Sequence, residues 1–320
     1  MSETSNLDRV LVLELVRVTE AGAIAASALI GRGDEKAADQ AAVDAIRTQL
    51  NDLDIDGLIV IGEGERDEAP MLYIGEEVGK GGPKIDIALD PLEGTTITAK
   101  AMPNALAVVA FGEGGTMLRA PDVYMDKIAI GGGYEPGLVD LDKSPAENLQ
   151  ALAKAKGVPI AELTACVLDR PRHAELISAI REAGCSIQLI GDGDIAGVMA
   201  TTDPKETGVD IYFGTGGAPE GVLAAAALRC IGGQIQGRLL FRNDDERDRA
   251  YKWGIEDLDR KYDTEDMVSG DVIFAATGVT DGSMLDGVRL TNEGYSTETL
   301  VMRSGSKTIR TIKTEHRSGR

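Results

Sequence analysis

Apolar positions along the chain change period several times, and each change predicts an element. Over residues 7–29 they recur every three or four positions, which predicts a long helix ended by Gly31-Arg32-Gly33. A second helix is predicted over residues 34–50, with Val43, Ile46 and Leu50 on its buried stripe. Asp39 stands four residues before Val43 on that stripe, where an acid needs a cation, several donors or a route to water at the edge. The period then shortens. Leu58-Ile59-Val60-Ile61 is a continuous apolar strand running into Gly62-Glu63-Gly64-Glu65, whose glycines let backbone approach a ligand and place Glu63 at a strand end. Residues 84–89 alternate, with Ile85, Ile87 and Leu89 on one face, and lead into Asp90-Pro91-Leu92-Glu93-Gly94-Thr95-Thr96. Pro91 suits the second position of a tight turn, which would fold Glu93 back towards Asp90 and aim both carboxylates, with the Leu92 carbonyl, at one point. Hard oxygens so gathered suit Mg2+ or Mn2+, although solvated acids on an ordinary turn would show the same local pattern. Further strands are predicted over residues 101–111 and 118–130, the second carrying Tyr124, a residue type that strands more often bury than use.

Over residues 138–159 the chain turns polar and helical, punctuated by Pro145 and Pro159, and a boundary there divides it into domains 1–158 and 159–320. Beyond it, residues 163–168, 186–190 and 209–213 are short apolar strands, each followed by a polar or glycine-rich loop and a helix. Such units imply parallel pairing, with ligands collecting at the carboxyl ends of the strands. The loops are Arg170-Pro171-Arg172-His173, Gly191-Asp192-Gly193-Asp194 and Gly214-Thr215-Gly216-Gly217-Ala218-Pro219-Glu220-Gly221. Arginine suits bidentate contact with phosphate, paired aspartates accept sugar hydroxyls, and glycine amides at a helix start hold an anion. Glu220 falls near that helix's beginning, and His173 reads as a helix-start residue. Residues 242–271, with the sole Trp253, read as a solvated helix and connection, and strands at 272–274 and 300–302 close the second domain.

Composition narrows the chemistry. The 320 residues are 43% hydrophobic, mean hydropathy is near zero, and no run of eighteen apolar residues occurs. Met1-Ser2-Glu3-Thr4 lacks the basic-then-apolar shape of a signal peptide, so a cytoplasmic protein without membrane association is expected. Cys166, Cys185 and Cys230 have neither pairing number nor C-x-x-C spacing, and read as small buried hydrophobes. A formal charge of −20 argues against nucleic acid as a partner. An anionic substrate would need local positive charge, from bound divalent metal or placed arginines. Acidity serving solubility alone would give the same total.

With these residues set out, the chain resembles the class II fructose-1,6-bisphosphatases of the metal-dependent, lithium-sensitive sugar-phosphatase superfamily. The blocks that carry the likeness are Gly-Arg-Gly-Asp at 31–34, Ile-Gly-Glu-Gly-Glu-Arg-Asp-Glu-Ala-Pro-Met-Leu-Tyr-Ile-Gly at 61–75, the Asp90 segment, Asn-Ala-Leu-Ala-Val at 104–108, Pro-Arg-His at 171–173, Gly-Asp-Gly-Asp at 191–194 and Gly-Gly-Ala-Pro-Glu-Gly at 216–221. Where the wider superfamily usually has aspartate, this chain carries Glu93, and where many relatives have lysine it carries Arg170. The resemblance implies an α/β fold layered α-β-α-β-α, a mixed-sheet first domain and a second domain rich in parallel strands. It implies two or three Mg2+ or Mn2+ ions on Asp39, Glu63, Asp90, Glu93 and Glu220, assisted by the Leu92 carbonyl. Tyr124, Arg170, Pro171, Arg172, Asp192, Gly193, Asp194 and Gly217 would hold the sugar and its distal phosphate, while Glu93, Gly94 and Thr95 approach the scissile one. Thr95 and Glu63 would orient and deprotonate the attacking water. The implied reaction is hydrolysis of the C1 phosphate of fructose-1,6-bisphosphate, in a homodimer or homotetramer. Sedoheptulose-1,7-bisphosphate presents the same C1 end and is the alternative substrate. From other classes, Gly214-x-Gly216 after a strand suggests a dinucleotide-binding oxidoreductase, although the third glycine is displaced to Gly221 and Glu220 would face the pyrophosphate. A non-catalytic metal-binding scaffold is a further reading.

Overall fold

The computed structural model describes residues 7–64 and 70–317. The N-terminal Met1-Ser2-Glu3-Thr4 and the Glu65-Arg66-Asp67-Glu68-Ala69 part of the 61–75 block lie outside the described residues. Two compact units emerge, one of residues 1–119 with 268–320 and one of residues 120–267.

The first unit opens with α1 (Leu11–Ser27) and α2 (Glu35–Asp52). Leu11, Leu15, Val18, Gly22 and Ala26 form the buried stripe of α1, at the three- and four-residue spacing of one helical face. Gly22 is placed there for space, since a methyl on it would meet Ile46 Cδ1 of α2 at 2.7 Å. Asp34 caps α2 by accepting from the Ala37 N–H at 3.0 Å. Then follow β1 (Asp56–Ile61), β2 (Glu77–Val78), β3 (Lys84–Glu93), α3 (Thr95–Ala99) and β4 (Leu106–Glu113). The strand expected over residues 101–111 starts later, because Ala101 and Asn104 have positive φ and belong to the loop.

The second unit comprises β5 (Tyr124–Ile130), α4 (Pro145–Lys156), β6 (Thr164–Leu168), α5 (Ala174–Glu182), β7 (Ser186–Ile190), α6 (Asp194–Ala200), α7 (Pro204–Thr207), β8 (Ile211–Gly217), α8 (Ala218–Ile231), β9 (Gln234–Leu240), α9 (Asp244–Lys252), β10 (Lys261–Asp263) and α10 (Thr264–Met267). Its sheet runs β10-β9-β5-β8-β6-β7, with β6 parallel to both β7 and β8 and the remaining pairs antiparallel. The parallel core expected from the strand-loop-helix rhythm is therefore present. Alternation along β5 sorts its faces: Ile128 and Ile130 join the core under α4 and α5, whereas Met125 and Lys127 approach Gly221 of α8. The segment expected to be a solvated connection carries the edge strand β10 and buried Ile255, so only part of it is solvent-facing.

The chain then returns to the first unit with β11 (Val272–Gly278), β12 (Arg289–Thr291), β13 (Gly294–Arg303) and β14 (Thr308–Arg317). That sheet runs β12-β13-β11-β4-β3-β1-β2, with β14 on β13. Among the described residues of that sheet, only β1 and β3 pair in parallel. This corrects the expected boundary after residue 158, which falls inside the second unit, and the expected role of β11 and β13 in closing that unit. The reason is that all seven residues of β11 are buried and its backbone is paired along both edges, antiparallel to β4 and to β13. Leu15, Val43, Ile46, Ile59, Ile87, Phe111, Ile273 and Val301 form one core from both ends of the chain.

Asp86, buried in β3, accepts the N–H groups of Gly115, Thr116 and Met117 at 2.8, 2.9 and 3.1 Å. A carboxylate with three backbone donors shapes the turn after β4. We expect Asp86→Ala to lower stability by about 2–4 kcal/mol, read as a drop in the chemical-denaturation midpoint, because it orphans these donors together. A change below about 0.5 kcal/mol would contradict this account.

Candidate functional site

In the first unit the acids gather where β1 and β3 end. These strands are parallel with Ile61 opposite Ala88, so Glu63 and Asp90 each lie two residues past a matched pair. The tight turn expected at Pro91 is instead a bulge inside β3: Asp90 faces Val108 and Glu93 faces Leu106, three steps against two on β4. Pro91 fits a bulge because it has no N–H to donate to a ladder. The extra residue also corrects the phase. Residues three apart on a regular strand point to opposite faces, yet here Asp90 and Glu93 bring carboxylate oxygens within 4.8 Å of each other. The Leu92 N–H donates to Asp90 Oδ1 at 3.1 Å, which leaves the other carboxylate oxygen outside that bond. Gly94, at φ +88°, then makes the left-handed step that starts α3 at Thr95.

Asp39 of α2 belongs to the same group. Its carboxyl is pushed up to about 6, first by burial and then by the charge of Asp90, against a hydrogen bond with Glu63 that pulls it down. Glu93 is buried, and Glu63, Asp90 and Asp39 are half-buried. Crowded carboxylates raise one another's proton affinity, and a divalent cation relieves this while binding oxygen ligands. Asp39, Glu63, Asp90 and Glu93 thus fit a hard cation.

In the second unit the parallel strands deliver the expected loops. Arg170, after β6, pairs with Asp192, after β7, at 3.6 Å. Pro171 opens a single 3-10 turn, Pro171–His173, at the start of α5. Arg172 donates to the Thr215 carbonyl from Nε at 2.9 Å and Nη2 at 2.6 Å. His173 is buried, its Nδ1 on the Leu168 carbonyl at 2.8 Å and its Nε2 accepting the Thr215 N–H at 2.8 Å. Burial holds its proton affinity below the usual imidazole range, so it is a neutral clasp between β6 and β8 at the start of α5, as the sequence suggested. Gly193, at φ +83°, turns the chain into α6, and Asp194 faces inward as the ion-pair partner of buried Lys127. Gly217 precedes α8, and a methyl there would collide with the Glu220 carboxylate, which folds back over it.

Two residues of this unit escaped the sequence reading. The Tyr124 ring carries the Arg172 guanidinium carbon 5.0 Å and that of Arg242 4.9 Å from its centroid, while Arg242 is itself bound by Glu246 at 2.5 Å. Arg242 was hidden in a run of mixed charge, and only the pairing of Tyr124 with Leu240 brings it near. Lys127 was hidden in a strand whose neighbours are apolar. The Gly214-x-Gly216 spacing lies within β8 and not in a strand-to-helix turn, and the space over Gly216 is filled by Asp194 and Lys127, so it is no pyrophosphate loop. Cys166, Cys185 and Cys230 are buried and free, and burial pushes the Cys166 thiol up to about 12 and that of Cys185 to about 11. Among the described residues, no helix is long and apolar enough to cross a membrane.

The family described as bacterial fructose-1,6-bisphosphatase, glpX-encoded, matches residues 9–316. The chain belongs to this family. The bisphosphatase relatives include the Escherichia coli (strain K12) protein named fructose-1,6-bisphosphatase 1 class 2, 46% identical over 96% of this chain and 95% of its own length. A second, from Synechococcus sp. (strain JA-3-3Ab), is named D-fructose 1,6-bisphosphatase class 2/sedoheptulose 1,7-bisphosphatase and is 45% identical over 97% of this chain and 96% of its own. In this bisphosphatase-family chain the folded state favours protonated Asp39. That contribution to stability is fully present below about pH 4 and is lost as pH rises through about 6. In chelator, Asp39→Asn should match the parent near pH 4 and exceed it in stability above pH 6 by about 1 kcal/mol, after allowance for solvent screening. Its melting temperature should also rise less on adding Mg2+ or Mn2+. Equal stability of parent and variant at both pH values would refute this description of the acid group.

Proposed function

We propose that this chain hydrolyses the C1 phosphate of fructose-1,6-bisphosphate, giving fructose 6-phosphate and inorganic phosphate. The observation that carries the reading is the group of acids at the ends of β1 and β3, combined with family membership over residues 9–316. Asp39, Glu63, Asp90 and Glu93, with the Leu92 carbonyl, would hold the cations, and the family resemblance adds Glu220 as a further ligand. Mg2+ or Mn2+ bound there neutralises phosphoryl oxygens, acidifies water and steadies the departing alkoxide.

The chain's own residues do the rest. Arg170 and Arg172 hold the distal phosphate, charge against charge, and Asp192 accepts sugar hydroxyls. Tyr124, under two guanidiniums, presents its ring as a wall for the sugar. The backbone at Gly94 and Gly217 comes close to phosphate because neither residue carries a side chain. Thr95 orients the attacking water through its hydroxyl, and Glu63 takes the water's proton as the new P–O bond forms and the P–O bond to C1 breaks. The enzyme acts in the cytoplasm as a homo-oligomer.

The name of the Synechococcus relative favours a second reading, in which sedoheptulose-1,7-bisphosphate is also a substrate. Both sugars present the same C1 end, so only the hold on the distal phosphate separates them.

Release of inorganic phosphate from both sugars, with Mg2+, with Mn2+ and with chelator, tests the proposal. Turnover of fructose-1,6-bisphosphate should vanish in chelator. Asp90→Ala and Glu93→Ala should each lose at least about a hundredfold in kcat while keeping the parent's circular dichroism. Near-normal turnover in either variant would overturn the ligand assignment, and cation-induced stabilisation without phosphate release would leave a binding protein.

A further inference from the structure

Lys127 occupies the middle of β5, between β8 and β9, and is 1% exposed. An ammonium is tolerated there only if it is paired and hydrogen-bonded. It meets two groups, the Asp194 carboxylate and the Gly217 carbonyl, the latter at 2.7 Å. Asp194 is the first residue of α6 and closes the Gly191-Asp192-Gly193-Asp194 loop, and Gly217 is the cap from which α8 departs towards Glu220. One buried cation therefore ties together loops that follow two different strands.

Gly216 and Gly221 leave room beside it. Across the strands Lys127 faces Gly214 on one side and Gly237 on the other. A methyl on Gly221 would meet Met125 Sδ at 2.6 Å and lie 3.3 Å from Lys127 Cδ, and one on Gly216 would run into Asp194 and lie 3.2 Å from Lys127 Nζ. Gly217 has φ −67°, and neither Gly216 nor Gly221 has positive φ, so backbone conformation does not require glycine at these places. Space does: for Asp194 and Lys127 at Gly216, for Glu220 at Gly217, and for Met125 and Lys127 at Gly221.

We propose that Lys127 is a positioning residue for the proposed phosphatase site, holding the Asp192–Asp194 loop and the Gly217–Glu220 helix start in one fixed relation. It touches neither substrate nor metal. It acts through Asp194 and the Gly217 carbonyl. The proposal rests on the phosphatase reading for its kinetic consequence but not for the brace itself.

The test is Lys127→Met, a neutral side chain of similar length, measured by phosphate release from fructose-1,6-bisphosphate and by amide hydrogen exchange of the full chain. We expect KM to rise about tenfold or more, with a smaller change in kcat. Amide protection should fall at residues 191–194 and 215–221 while β5, β6 and β9 keep theirs. Lys127→Arg should not rescue KM, because the glycine-lined space is too narrow for a guanidinium. Should Lys127→Met fail to fold, Gly216→Ala takes its place, since it displaces Asp194 and Lys127 while keeping both charges, and the same local loss of protection is expected. Unchanged KM, or protection lost evenly across the second unit, would overturn the proposal. If the parent releases no phosphate at all, the functional reading fails, and the exchange pattern still decides whether the brace exists.

Discussion

Like charges confined at the ends of two parallel strands are the constraint around which the first unit is built. The backbone of β1 and β3 places Glu63 and Asp90 at equivalent positions, and the bulge at Pro91 brings Glu93 into the same space. Without a cation the cost falls on Asp39, whose carboxyl is driven towards its neutral form by burial and by Asp90. The fold bears this strain because the strands beneath are secured by a core reaching from α1 to β13. A site that is costly when empty binds its cation with the energy released when the repulsion ends.

The second unit solves the opposite problem, a single cation buried in a sheet. Lys127 is matched by one carboxylate and one carbonyl, and Gly216 of β8 and Gly221 of α8 leave room beside it. Glycine in a loop motif is usually read as freedom of φ or as close approach of backbone to an anion. Gly216 instead leaves space for Asp194 and Lys127, and Gly221 for Met125 and Lys127, side chains of α6 and β5. A glycine motif can thus record the volume of a partner that the motif does not contain.

Much of this was legible along the chain, and the exceptions share a cause. The helices α1 and α2, the ends of β1 and β3, and the parallel core of β6, β7 and β8 follow from local periodicity, capping and punctuation. The acids Asp39, Glu63 and Asp90 were visible because a charge at the end of an apolar run is a local anomaly. The bulge was read as a turn, because Pro91 breaks a ladder in either geometry and only the register against β4 separates them. Arg242 and Lys127 were invisible because their meaning lies in residues more than sixty positions away, Tyr124 for one and Asp194 for the other. No window along the sequence contains both members of either pair.

The misplaced boundary has the same origin and a consequence for assembly. β11 is buried along its whole length and lies between β4 and β13, so the first unit's sheet closes only when residues 268–320 are present. The second unit is continuous from 120 to 267 and draws its core from its own elements. Loop closure across an intervening chain of that length costs more entropy than the strand-helix-strand contacts inside it. Contacts of short sequence separation form sooner. The topology therefore makes the two units unequal: the second is built from one unbroken stretch, whereas the first needs β11 from the far end of the chain beside β4.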